Sequence, residues 1–384
     1  MTGTNVASSP IARLIESRRV IVTVGAGGVG KTTTAAALSV AAARAGKRVL
    51  CLTIDPAKRL AESLGLGEMR SEAVTIDRDR FTSAGVPLEG SLTAMMLDTK
   101  RTFDELVIKY SSTKDKADKL LSNKLYQYVS TSLAGTQEYM AMEKLVAVKD
   151  DSRYDLIVLD TPPTANALDF LDAPERLITA LDSATMRWFV DAFQAGGKFS
   201  LNILAKSAAT ILRGMGRITG GGFLEAMAGL IVELNDLFGG FKERACRVEQ
   251  ALRGPEIAFV LVTSASPPSI QEVLYFARRL EEANMPRGAF VVNRVRMPPE
   301  RAAVGITEED AKKGIADREL ALDDDAPLRI VQAHADAVRL AALDMHNIQA
   351  LRVGRTPIVH VAELETDVHD IQLLSQLADA LMGR

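Results

Sequence analysis

Residues 22–33 read "VTVGAGGVGKTT", and this stretch decides the fold. Residues 25–32 match G-x-x-x-x-G-K-S/T, set between a β-rich run and an alanine-rich helical pattern, the context a phosphate-binding loop requires. Glycines let successive backbone N–H groups curl around the β- and γ-phosphates of a nucleotide, so Gly27, Gly28, Val29 and Gly30 are read as the cradle. Lys31 would reach the phosphate oxygens and Thr32 would ligate Mg²⁺, with Thr33 beside it. The helix that follows, "TTTAAALSVAAARAG", starts at the phosphates, adds its N-terminal dipole, and is expected to end near Gly46.

Outward from the loop, short apolar runs alternate with helical patterns, which predicts a parallel sheet flanked by helices. The strand candidates are "VIVTV" from Val20, "VLCLTI" from Val49, "LIVLD" from Leu156, "AFVLVTS" from Ala258, "AFVVN" from Ala289 and "PIVHV" from Pro357. Their continuous apolarity suits strands buried on both faces. "LTAMML" from Leu92 and a short edge strand "AVTI" from Ala73 complete the set. Two carboxylates end such strands. Asp160 closes "YDLIVLD", where an acidic residue near Mg²⁺ is expected, and Asp55 closes "VLCLTID", where it would orient an attacking water.

Two stretches break the alternation. Residues 99–150 read as helical throughout, with a solvated face "STKDKADKLLSNK"; residues 174–254 read as helical but softened by "AGGKFS" and "RGMGRITGGGF". They are expected to form a helical subdomain inserted into a single domain spanning 1–384. A third helical segment, 298–353, carries a polar loop "LALDDDAP". Within the inserted region, Met, Phe, Leu and Gly would either line an adaptable groove for an apolar helix or make an ordinary helical core. Trp188 is read as a core anchor.

Composition bounds the rest. The chain has 384 residues, 47% hydrophobic and 25% charged, with a net charge of -3. That balance lacks the basic excess of a non-specific DNA binder. Its two cysteines, Cys51 and Cys246, form no C-x-x-C, so neither a disulfide framework nor a four-thiolate zinc site is expected. The N-terminal segment has no secretory h-region, and no run reaches the length of a membrane span; "FSLNILAKSAATILRGM" is interrupted by Lys206 and Arg213. A cytoplasmic protein without a stable membrane anchor or nucleic-acid partner is expected.

At "GAGGVGKTTTA", "TIDPAKRLAESLG", "DTPPTANALDFLDAP" and "VVNRV" followed by "TPIVHV", the sequence resembles the ArsA-like ATPases. These include the arsenical pump ATPase and the ATPase that guides tail-anchored membrane proteins, within the deviant P-loop class. The resemblance implies a nucleotide-gated dimer that binds and hydrolyses ATP with Mg²⁺. Asp55 would position water with Lys31 as its catalytic companion, Thr32 and Asp160 would serve the metal, and Asn293 would contact adenine under a segment near Pro357.

This chain departs from that pattern. The family's loop carries a second lysine where Ala26 stands. The tail-anchor branch's zinc C-x-x-C and the pump's cysteine cluster have no counterpart, so arsenite activation is not expected. Lys58 and Arg59 replace the usual histidine and asparagine. In this class the missing lysine reaches across the dimer to the partner's phosphates. Its absence implies a slow or inactive homodimer, a homodimer in which another residue fills the lysine's role, or a heterodimer completed by a lysine-bearing paralogue. Three functions follow in order: an ATP-driven switch coupled through the helical subdomain to a protein partner or client, a hydrophobic protein being one such client; a non-hydrolysing nucleotide-binding regulatory or scaffold subunit of a heterodimer; and a partition- or septum-type positioning ATPase. The third is disfavoured because "DVHDIQLLSQLADALMGR" is no basic amphipathic helix.

Overall fold

The computed structural model describes residues 9–54, 61, 64, 66, 71–123, 126–127, 130, 136–161, 179, 243–352 and 354–384. Every strand candidate named from the sequence contains a strand. These are β1 (Val20–Gly25), β2 (Arg48–Thr53), β3 (Val74–Thr75), β4 (Ser91–Met96), β5 (Leu156–Asp160), β6 (Ile257–Ser264), β7 (Arg287–Val295) and β8 (Ile358–Ala362). Among the described residues they form one sheet in the order β3-β4-β2-β5-β1-β6-β7-β8. The pairs from β2 to β8 through β5, β1, β6 and β7 are parallel, and β3–β4 is antiparallel. The α/β class follows from this mostly parallel sheet.

Burial explains why these segments read as unbroken apolar runs. All six residues of β1 and all five of β5 are buried, because helices cover both faces of a parallel sheet. The helix α1 (Pro10–Ser17) precedes β1, capped by the Ser9 hydroxyl accepting from the Ala12 N–H. Between β1 and β2 runs α2 (Lys31–Arg44). Its alanines, from Ala35 to Ala43, are buried almost completely. Small Cβ groups let α2 lie close to the sheet while its other side packs against the C-terminal helix Ile371–Met382. Ala45 caps α2, and Gly46 follows at φ +87°, a left-handed turn that glycine adopts without strain. Cys51, inside β2, is fully buried, and desolvation pushes its thiol up to about 12.

The chain divides into two compact units. One comprises Met1–Met95, Arg153–Thr164 and Pro255–Arg384; the other comprises Met96–Ser152 and Ala165–Gly254. In the second unit the stretch 99–150, read as helical, holds several helices. The helices Thr99–Tyr110, Lys114–Ser122 and Thr136–Lys149 are separate. Extended Ser111 ends the first and Thr113 caps the second through a hydroxyl that accepts from the Lys116 N–H, while extended Asn123 ends it. Leu106, Val107, Leu120, Tyr126 and Met140 join Ala245 in its core. Buried Glu143 pairs with Arg244, which also donates to the Tyr110 hydroxyl at 2.6 Å. Most of 174–254, Trp188 included, lies outside the described residues.

The third helical segment resolves into Glu308–Asp317 and Ala326–Ile348, with "LALDDD" as the connection between them. Asp344 anchors the long helix. It is 1% exposed and accepts from Arg296 through the backbone N–H and Nε at 3.0 Å and a terminal nitrogen at 2.5 Å.

Candidate nucleotide site

β1 ends at Gly25, and the chain must then turn in very little space. A Cβ on Gly25 would lie 2.0 Å from the Val262 carbonyl oxygen of neighbouring β6, so only glycine fits. Gly28 and Gly30 take φ +75° and +90°, the left-handed region. Gly30 is the N-cap of α2 and offers no side chain to its orphan N–H groups. A helix that starts this way leaves its donors for a ligand, and the dipole favours an anion there.

Two charged side chains are buried beside this cradle. Lys31 is 7% exposed, and its Nζ donates to the Ala26 carbonyl at 2.7 Å, so the ammonium is held within its own loop. Asp160 is 2% exposed at the carboxyl end of β5. Its Oδ2 accepts from the Thr32 hydroxyl at 2.7 Å and from the Thr53 hydroxyl at 3.3 Å. Register explains the convergence: Asp160 pairs with Thr23 of β1 on one side and Thr53 of β2 on the other. The Thr161 hydroxyl then ties back to the Thr23 carbonyl at 2.7 Å.

The Thr32 hydroxyl thus meets Asp160, and Lys31 precedes Thr32 at the start of α2. Thr53 and Thr161 join the site without a sequence motif that marks them. The available signal was a threonine at the carboxyl end of each strand, next to an expected acidic residue. Asp55 lies outside the described residues, two positions beyond the end of β2.

Asn293 sits near the end of β7, 7% exposed. Its amide nitrogen donates to the Val29 carbonyl at 3.0 Å, and its amide oxygen accepts from the Arg294 N–H at 3.0 Å. A Cβ on Gly30 would come within 2.2 Å of that amide nitrogen. Loop and β7 therefore interlock. Beside them opens a cavity of about 600 Å³, reached by Gly30, Thr33, Asn293 and Arg294 and walled by residues 362–369. That volume suits a nucleoside-sized ligand. Pro357, a few residues before this wall, is tied to the sheet, its carbonyl accepting from the Phe290 N–H at 2.8 Å.

The donor set tests for a metal. Thr32 and Asp160 present hard oxygens 2.7 Å apart, the ligand type Mg²⁺ takes. Among the described residues no group of three or more His, Cys, Asp or Glu could hold a metal ion. Such an ion would take its other ligands from phosphate and water, as Mg²⁺ does at phosphate sites. The residues fit that group.

A glycine loop between a buried parallel strand and a helix, a buried lysine, and a threonine–aspartate pair at the sheet's carboxyl edge define a P-loop nucleotide-binding protein. Comparison narrows the class: the family model described as anion-transporting ATPase matches residues 18–315. The chain belongs to that family. It is similar to the ATPase get3 of Aspergillus terreus, 27% identical over 71% of this chain and 72% of the relative. The ATPase get3 of Aspergillus niger gives the same identity and shares. The ATPase GET3 of Paracoccidioides lutzii is 26% identical, again over 71% and 72%.

Proposed function

We propose that this chain is an ATP-dependent molecular switch that binds ATP with Mg²⁺ and hydrolyses it. The observation that carries the reading is the buried Thr32–Asp160 contact beside Lys31 at an uncapped helix start. On binding, Lys31 exchanges the Ala26 carbonyl for the β- and γ-phosphate oxygens, and the loop N–H groups of Gly27 to Thr33 cradle the same phosphates. Thr32 and Asp160 hold Mg²⁺, which when bound neutralises charge developing on the phosphates. Asn293 stations the loop and meets the adenine side of the cavity. Asp55, two residues past the end of β2 in sequence, orients the attacking water.

In this reading the two units make one functional domain, and 174–254 couples nucleotide state to a protein client with an apolar surface. The protein works in the cytoplasm as a dimer. Among the described residues no helix is long and apolar enough to cross a membrane. Ala26 supplies no charge in trans, so turnover by the isolated chain is slow. A homodimer or a pairing with a lysine-bearing paralogue would set the rate.

Calorimetric titration with Mg-ATP, alongside steady-state phosphate release, tests the proposal. The parent chain should bind ATP and release phosphate, and Lys31→Ala should lose both. Asp160→Asn should bind more weakly in Mg²⁺ than the parent and show little preference between Mg²⁺ and EDTA. Unchanged ATP affinity in Lys31→Ala would sink the reading. Tight binding without any phosphate release would instead leave a nucleotide-binding scaffold.

A further inference from the structure

Arg294 is the residue of the nucleotide cavity whose placement has the most unusual cause. In an unbroken strand, successive side chains point to opposite faces, so Asn293 and Arg294 ought not to share a cavity. Here both line it. The pairing of β7 with β8 shifts register between Val292 and Val295, and Arg294 takes φ +55° within that shift. An irregularity of this kind re-aims a side chain, and a left-handed non-glycine residue is a sparsely populated conformation that its surroundings must hold in place. The hold is visible: the Arg294 N–H donates to the amide oxygen of Asn293 at 3.0 Å.

The two neighbours are differently occupied. Asn293 is buried and its amide is engaged at both ends, by Val29 and by Arg294. Arg294 keeps a half-exposed side chain whose guanidinium meets Asp367, from the far wall segment, at 3.5 Å. A loose pair between solvent-exposed charges contributes little and releases readily. A planar guanidinium that lines a cavity of nucleoside size is suited to stacking on an aromatic ring.

Building on the nucleotide-site reading above, we propose that Arg294 is the base-positioning residue. It leaves Asp367 and lies flat against the purine, so that the cavity prefers a two-ring base to a one-ring base. Asn293 holds the loop, and Arg294 holds the base.

The test uses the full chain and three probes: ATP, UTP and tripolyphosphate, each titrated at equilibrium. Arg294→Asn is the variant of choice because asparagine tolerates φ near +55°, and a thermal melt checks that it folds. Expected is a roughly 3- to 30-fold loss of ATP affinity, the scale of a cation–π contact. UTP should lose less and tripolyphosphate nothing. Arg294→Lys should recover only part of the loss, since an ammonium has the charge without the plane. Equal weakening of ATP and tripolyphosphate, fully rescued by lysine, would overturn the proposal in favour of a phosphate contact. Unchanged ATP affinity would overturn it outright. Failure of the parent chain to bind either ATP or tripolyphosphate is a different result, because that defeats the nucleotide site itself.

Discussion

Gly30 carries three duties at one position: it turns the chain at φ +90°, begins α2, and makes room for the Asn293 amide. Gly30→Ala should therefore fail twice. A Cβ 2.2 Å from the Asn293 nitrogen forces that side chain away, and the left-handed φ adds strain of about 1–2 kcal/mol. Thermal denaturation should show the destabilisation and calorimetry the loss of ATP binding; a variant with parental melting and affinity would refute both. Thr53 makes a milder case. Its hydroxyl is a second donor to Asp160, so Thr53→Val should lower stability by about 1 kcal/mol in urea titration. The same change should weaken metal-dependent nucleotide binding more than binding in EDTA, because it loosens the carboxylate proposed to hold the ion. Equal effects with and without Mg²⁺ would make Thr53 a structural residue only.

At the scale of elements, the long helix Ala326–Ile348 is fastened to β7 by a charge and not by an apolar face alone. Burial by itself would raise the pKa of Asp344, but hydrogen bonds from the Arg296 guanidinium and N–H outweigh it and hold the carboxyl below its ordinary value. A lowered folded-state pKa contributes stability above the unfolded value, near 3.9, and loses it as pH falls toward the folded value. Stability should therefore decline below about pH 4, and part of that decline should vanish in Asp344→Asn. The variant should also be less stable at pH 7 by roughly 2 kcal/mol, the scale of hydrogen bonds to a charged group. Parallel acid limbs for parent and variant in pH-dependent unfolding would remove Asp344 from the account.

For the whole molecule, the proposed hydrolysis has to work with Ala26 at the loop position where the resemblance implies a second lysine. Ala26 is 4% exposed and belongs to the core cluster, so the position packs as well as lacking a charge. Ala26→Lys should lower the melting temperature, since overpacking costs about 1–3 kcal/mol. Its hydrolysis per chain should nevertheless rise with protein concentration, because a lysine acting in trans requires a second copy. A rise independent of concentration would place its action within one chain. No rise, in a variant shown to dimerise with ATP, would discard the trans role for this position.

Much of this was legible in the sequence because strong local constraints wrote it there. "GAGGVGKTT" records a turn that only glycine makes and a helix start with no side-chain cap. Unbroken apolar runs record strands covered on both faces. The candidate residues Lys31, Thr32 and Asp160 were readable for the same reason. What lay beyond reach was pairing between distant segments. Sheet order and register bring Thr53 and Thr23 to either side of Asp160. A register shift after Val292 turns Arg294 into the cavity beside Asn293, and three hydrogen bonds commit Asp344 to Arg296. Local sequence determines which residues favour a loop, strand or helix start. Which side chains face each other across separations of 48 to 264 residues is decided by packing and hydrogen bonding in the folded chain, to which no single segment holds the information.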